Sequence, residues 1–176
     1  MNIYVTIGGQ GTRLKSLSPK DKHTLYFKNK RIIDWILEIV PQAKLLGSKK
    51  TKSRKETLSE IRHEKHVLII DCDIIPFGFS LDMIDTECDN IFVFKSKRNK
   101  WGSAKIKDDI LIGCDEKNNI SNHKCSGIYY IKDMEKTLKK MSDNSIASGI
   151  IGAKIIIEDS FVRLGDVEDY MKAINL

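Results

Sequence analysis

No apolar run in this chain approaches the roughly 18 residues that a membrane-spanning helix needs. The opening residues, MNIYVT, lack the charged and apolar regions of a secretory signal. A cytoplasmic protein with no membrane partner is therefore expected. The four cysteines, Cys72, Cys88, Cys114 and Cys125, form no C-x-x-C pair, so they read as free thiols, mostly buried. His63 and His66 partner no cysteine at zinc-finger spacing, so no structural zinc site is expected. Aromatic residues make up only 7% of the chain. None of them is interleaved with the basic run SKKTKSRK (48–55), so a stacking platform for single-stranded nucleic acid is missing. There are no repeats, no low-complexity tracts and no evident linker.

What is present is an ordinary globular composition, with 176 residues, 41% hydrophobic and 31% charged. Such a chain is long enough to bury one core, and residues 1–176 are expected to form a single domain. The formal net charge is +6 and the pI near 9.0. Much of the excess lies in 48–55, which reads as a solvated loop or a helix entry. A binder of nucleic acid through that run is the weaker alternative; a phosphate-rich small substrate accounts for the basic excess equally well, and no nucleic-acid partner is expected.

Strand-like and helix-like segments alternate. NIYVTI (2–7) reads as a buried strand, and RIIDWILEIV (31–40) as a helix, with Ile32, Trp35, Ile36 and Ile39 at helical spacing and Pro41 closing it. A short strand (42–46), a short helix (56–64) and two strong strands, HVLIID (66–71) and NIFVFK (90–95), follow. KIKDDILIG (105–113) predicts a hairpin turning at Asp108-Asp109. CSGIYYIK (125–132) is a further strand, Asp133 caps a helix over 133–141, and DVEDYMKAINL closes the chain as a helix. This alternation predicts an α/β fold with a mixed, mainly parallel sheet flanked by helices. In such sheets ligands bind beyond the carboxyl ends of strands.

Two strand ends carry chemistry. After the first come Gly8, Gly9 and Gly11, which allow close backbone approach to an anion. Thr12 and Arg13 follow, with Lys22 further on. The loop fails as a Walker A motif, because Gly11 is followed by Thr12-Arg13. It fails as a dinucleotide fingerprint, because Leu14 stands at the third glycine. A guanidinium suits the clamping of phosphate oxygens, whereas a lysine acts as a mobile point charge. The second end is VLIIDCDIIP, where Asp71 and Asp73, one residue apart in extended chain, can approach one metal ion.

GGQGTRL followed by KHTLYFKNKRIIDWIL resembles the signature of the sugar-phosphate nucleotidylyltransferases, a G-G-x-G-T-R loop followed by a P-K-P-L-like lysine motif and a helix. Asp21 and His23-Thr24 stand where that family commonly has prolines. The resemblance continues in order. Asp73 matches the metal aspartate after the central strand, while Asp71 falls where a small or polar residue is usual. KWGSAKIKDDILI is similar to the Tyr-Gly stretch and hairpin, with Gly102 in the sugar-facing position. CDEKNNISNHKCSGIYYI is similar to the Glu-Lys-Pro segment and the Gly-Ile/Leu-Tyr strand. FVRLGDVEDYMKA resembles the Asp-x-Gly-Thr…Glu-Asp-Tyr ending, with Arg163 at the position of the second metal aspartate and Asp166 three residues later. The segment between the first helix and Asp73 is shorter than the family usually carries.

The resemblance implies a Rossmann-like fold of the nucleotide-diphospho-sugar transferase type. It also implies Mg²⁺-dependent nucleotidyl transfer from a nucleoside triphosphate to a sugar 1-phosphate or a similar phosphorylated small molecule, in surface-polysaccharide precursor synthesis. Gly8, Gly9, Gly11 and Thr12 would wrap the triphosphate, and Arg13 and Lys22 would meet its phosphates. Asp73, helped by Asp71 or Asp166, would hold Mg²⁺. Glu116 would accept from substrate hydroxyls, Lys117 would bind the acceptor phosphate, and Gly127 would let the acceptor lie against the backbone. Two readings compete. One is a regulatory protein that binds nucleotide without turnover. The other is a glycosyltransferase using Asp71-Cys72-Asp73 as a D-x-D motif, which would leave the glycine loop and Lys22 unexplained.

Overall fold

A computed structural model describes residues 1–7, 21–48, 51–98, 101–142 and 144–174. In chain order these form β1 (Asn2–Thr6), β2 (Tyr26–Phe27), β3 (Lys30–Arg31), α1 (Ile32–Ile39), β4 (Lys44–Leu46), α2 (Arg54–Ser59), β5 (Lys65–Asp71), β6 (Ile74–Ile75) and β7 (Asn90–Lys95). The hairpin of β8 (Ser103–Lys107) and β9 (Ile110–Asp115) comes next, then β10 (His123–Asp133), α3 (Met134–Lys140), α4 (Ile146–Gly149), β11 (Lys154–Ile157), β12 (Val162–Arg163) and α5 (Val167–Ile174).

The main sheet has the order β4-β1-β5-β10-β7-β11-β9-β8. β4, β1 and β5 pair in parallel, as do β7 and β11, while β10 runs antiparallel between β5 and β7. The α/β class and the mixed sheet therefore match the sequence expectation. The parallel part is split into two blocks by β10. β11 is a strand the sequence reading passes over. Its KIII run is short, with Lys154 and Ile157 exposed, and it offers no alternation to separate strand from loop.

Both faces of the sheet are covered, which explains why β5 carries four consecutive apolar residues, Val67 to Ile70, rather than alternating ones. Leu68 and Ile70 join Ile3, Val5, Ile32 and Ile36 on one side; Val67 and Ile69 join Tyr4, Leu58, Met134 and Ile146 on the other. A chain so buried can keep its polar chemistry only at the strand ends. The β8–β9 turn falls at Asp108 and Asp109, whose φ of 51° and 58° are both left-handed. That is the twist a two-residue hairpin needs. Asp133 caps α3, accepting the Lys136 N–H at 3.0 Å. Among the described residues no helix is long and apolar enough to cross a membrane.

The Tyr4 hydroxyl on β1 donates to Glu64 Oε1 at 2.6 Å. Burial, reinforced by that hydrogen bond and the Glu64 charge, pushes its pKa up to about 12. A phenol whose folded pKa is raised contributes stability that is complete below its ordinary value near 10 and is lost as pH rises towards 12. Thermal melts between pH 9 and 12 are therefore expected to fall more steeply for the wild type than for Tyr4→Phe; parallel curves would refute this.

Candidate active site

The cleft lies where β5 ends, beside the end of β1. Thr6 is in register with Asp71 across the parallel pair, and its hydroxyl donates to Asp71 Oδ1 at 3.0 Å. The cleft is lined by Arg54, Asp71, Asp73, Ile74, Trp101, Gly102, Glu116, Cys125, Ser126, Gly127, Tyr129 and Gly165. The described part of the site thus brings together five of the sequence-predicted residues: Asp71, Asp73, Gly102, Glu116 and Gly127.

Lys22 joins them through Asp73. It opens a 3₁₀ turn at Lys22–Thr24, and its Nζ lies 2.6 Å from Asp73 Oδ2. The lysine and aspartate singled out from separate motifs, 51 residues apart, meet at one point. Gly8, Gly9, Gly11, Thr12 and Arg13 lie outside the described residues.

Gly127 sits where β10 shifts register against β7, between Cys125 and Tyr129. A bulge of this kind re-aims the chain towards a site. The residue has φ +98°, and a Cβ there would stand 2.9 Å from Asp71 Oδ2. Only glycine fits the backbone conformation and the close approach together. Gly102 plays a similar part against Glu116, whose Oε2 would lie 3.0 Å from an added Cβ.

Lys117 does not line the cleft. Asp115 Oδ1 accepts the backbone N–H of both Lys117 (2.8 Å) and Asn118 (2.9 Å), forming a turn whose lysine side chain is exposed. Asp166 also lies outside the lining. Its Oδ1 accepts the Asp169 N–H at 2.9 Å as α5 begins. Arg163 belongs to the short β6–β12 ribbon, opposite Ile74. Its guanidinium stacks on Phe94 with Cζ 3.2 Å from the ring centroid, and Nη1 and Nη2 donate to the Phe161 and Glu158 carbonyls. Burial lowers its pKa to about 10. From this segment the Leu164 N–H donates to the Asp73 carbonyl at 2.8 Å, and at Gly165 an added Cβ would meet Asp73 Oδ2 at 3.2 Å. Position 165, a glycine, therefore lies against the Asp73 carboxylate.

Arg54 is the residue that sequence reasoning missed. It lies in the basic run taken as solvated, yet Nη2 donates to Asp71 Oδ2 at 2.9 Å. Burial opposes its charge, but Asp71, Tyr129, Asp73 and Glu116 outweigh this and hold the guanidinium firmly protonated. A signal was available. Ser53 caps α2 by accepting the Glu56 N–H at 3.1 Å, the S-x-x-E pattern of a helix start, and that start fixes Arg54 in the first turn.

Burial raises the Asp71 carboxyl above its ordinary pKa and Asp73 adds to the rise, against the pull of Arg54 and Thr6. Burial, then the Asp73 charge, pushes the Cys72 thiol up to about 12, so it stands as a neutral thiol between the two aspartates. Among the described residues no group of three His, Cys, Asp or Glu side chains is placed to hold a metal ion. Two carboxylates, each already facing a cation, are too few for a resident ion. They suit Mg²⁺ arriving with phosphates, since that ion takes one or two carboxylates and draws its other ligands from phosphate oxygens and water.

Solved structures share this architecture. CTP:phosphocholine cytidylyltransferase from Streptococcus pneumoniae aligns with a TM-score of 0.76 over 99% of this chain and 97% of that one, at 15% identity. The chain has the nucleotidyltransferase fold. A nucleoside-diphosphate-sugar pyrophosphorylase from Vibrio cholerae aligns at 0.69 over 98% of this chain and 100% of that one, 15% identical. The inositol-1-phosphate CTP transferase of T. maritima aligns at 0.72 over 99% and 96%, 12% identical. No protein-family model and no curated protein sequence matches the chain. In the nucleotidyltransferase fold of this chain, the cleft sits at the carboxyl end of the central strand β5.

The close approach at Gly127 makes a direct prediction. Gly127→Ala is expected to lose about 1–3 kcal/mol of stability in urea denaturation, through its left-handed backbone and the clash with Asp71. Gly165→Ala, with ordinary φ and a longer 3.2 Å approach, is expected to lose less. Equal losses would refute the assignment of strain to position 127.

Proposed function

We propose that the chain is a nucleotidyltransferase joining a nucleoside monophosphate unit to a phosphorylated small molecule, with a sugar 1-phosphate as the first candidate acceptor. A phosphate oxygen of the acceptor attacks the α-phosphorus of a nucleoside triphosphate. The bond from the α-phosphorus to the bridging oxygen breaks, and pyrophosphate leaves with that oxygen. The observation that carries this reading is the Lys22–Asp73 contact of 2.6 Å at the end of β5. It pairs the cation that the glycine-loop motif needs with the acid that the strand-end motif needs.

In-line transfer of this kind depends on positioning and charge neutralisation. Lys22, released from Asp73 as substrate enters, neutralises charge on the α-phosphate. Asp73 would hold Mg²⁺, with Asp71 beside it; when bound, that ion neutralises phosphate charge. Arg13 stabilises the leaving pyrophosphate, and Gly8, Gly9, Gly11 and Thr12 wrap the triphosphate. Gly102 and Gly127 let the acceptor lie against the backbone, and Glu116 accepts from its hydroxyls. Phosphocholine is a second candidate acceptor, in line with the cytidylyltransferase similarity. A protein that binds nucleotide without turnover is the second reading, favoured by Arg163 at the position where the resemblance expects a second metal aspartate.

Pyrophosphate release is the decisive assay, run with Mg²⁺, each common nucleoside triphosphate, and a panel of sugar phosphates and phosphocholine. Release is expected with one substrate pair, falling at least about 100-fold in Lys22→Ala and in Asp73→Ala. Triphosphate binding without release from any pair would replace the transferase reading with the regulatory one.

A further inference from the structure

Arg54 is the cation among the described residues lining the cleft, and the transfer chemistry leaves it without a task. Its side chain keeps 30% exposure. Nη2 meets Asp71, but no other guanidinium nitrogen has a hydrogen-bond partner among the described residues, and none of them is sealed from solvent. A guanidinium carries five N–H donors in a planar fork that matches a pair of phosphate oxygens. Holding one carboxylate leaves most of that fork open to the cleft.

Two further features point the same way. Lys117, the residue expected to meet the acceptor phosphate, is exposed and lies outside the cleft lining. The Asp71 and Asp73 carboxylates each already face a cation, and Arg54 supplies positive charge within the lining itself.

We propose that Arg54 binds a phosphoryl group in this cleft directly, so that anion binding here does not require a divalent cation. This rests on the reading that the cleft takes phosphorylated substrates. Asp71 then has a second consequence: it competes with phosphate for the same guanidinium and sets how tightly the anion is held.

Calorimetric titration with tripolyphosphate tests this, in EDTA and in Mg²⁺. The wild type is expected to bind in EDTA within about threefold of its affinity in Mg²⁺. Asp71→Asn, which frees the fork, is expected to bind more tightly. Arg54→Met combined with Asp71→Asn removes one charge of each sign and leaves the net charge unchanged. It is expected to bind about tenfold more weakly or worse, the scale of a lost charge-assisted hydrogen bond. Arg54→Lys keeps the charge without the fork, so it gives the same comparison if the double variant melts early, with an intermediate loss expected. Binding that appears only with Mg²⁺, no binding in either buffer, or double and lysine variants that bind like wild type would each overturn the proposal. Arg54-dependent binding without pyrophosphate release would overturn the transfer reading alone. Release with Arg54-independent binding would overturn this inference alone.

Discussion

Asp71 is the pivot of the structure. Its carboxylate takes a hydrogen bond from Thr6 on the neighbouring strand and an ion pair from Arg54 on α2. It also occupies the space that a side chain at 127 would need. Three parts of the chain far apart in sequence are thus tied to one buried acid at the end of β5. The cost of placing a carboxylate there is visible in its raised pKa. Removing one partner of a buried pair leaves the other charge uncompensated, so Asp71 and Arg54 must be understood together.

This arrangement follows from the two-sided burial of β5. A strand covered on both faces has no room for polar side chains along its length, and its first opportunity for them is where it leaves the sheet. Asp71 is at that point, and Asp73, half-exposed, stands just beyond it, where Lys22 reaches it. The Leu164 N–H donating to the Asp73 carbonyl at 2.8 Å brings the 162–165 segment against the same loop. Position 165 therefore faces Asp73, while the Arg163 side chain stacks on Phe94.

Much of this was legible in the residues alone. The apolar run ending at Asp71, the hairpin at Asp108-Asp109, the Asp133 cap and the alternation of strands and helices all act through local chemistry, and local chemistry is what a sequence displays. Lys22 and Asp73 were chosen from two motifs, and the structure brings them into contact. What was hidden depends on direction. Lys117 neighbours Glu116, yet an Asp115-centred turn separates their roles. Arg54 looks like any lysine-rich surface run until the Ser53 cap fixes its place on α2. Arg163 and Gly165 are two residues apart, and no composition rule says which of them faces the acid. β11 was overlooked because its four residues show no period.

β10 has a further consequence. It separates the two parallel blocks, pairing with β5 on one side and β7 on the other, and its β5 contact closes over a long stretch of intervening chain. The entropy of that closure must be met before the pairing rewards it. The approach of Gly127 to Asp71 exists only once β10 has docked. The cleft therefore cannot be complete before β10 pairs with β5, and in refolding kinetics recovery of ligand binding should not precede that pairing. A chain in which β10 had not inserted would leave Asp71 at an open sheet edge with no pocket around it.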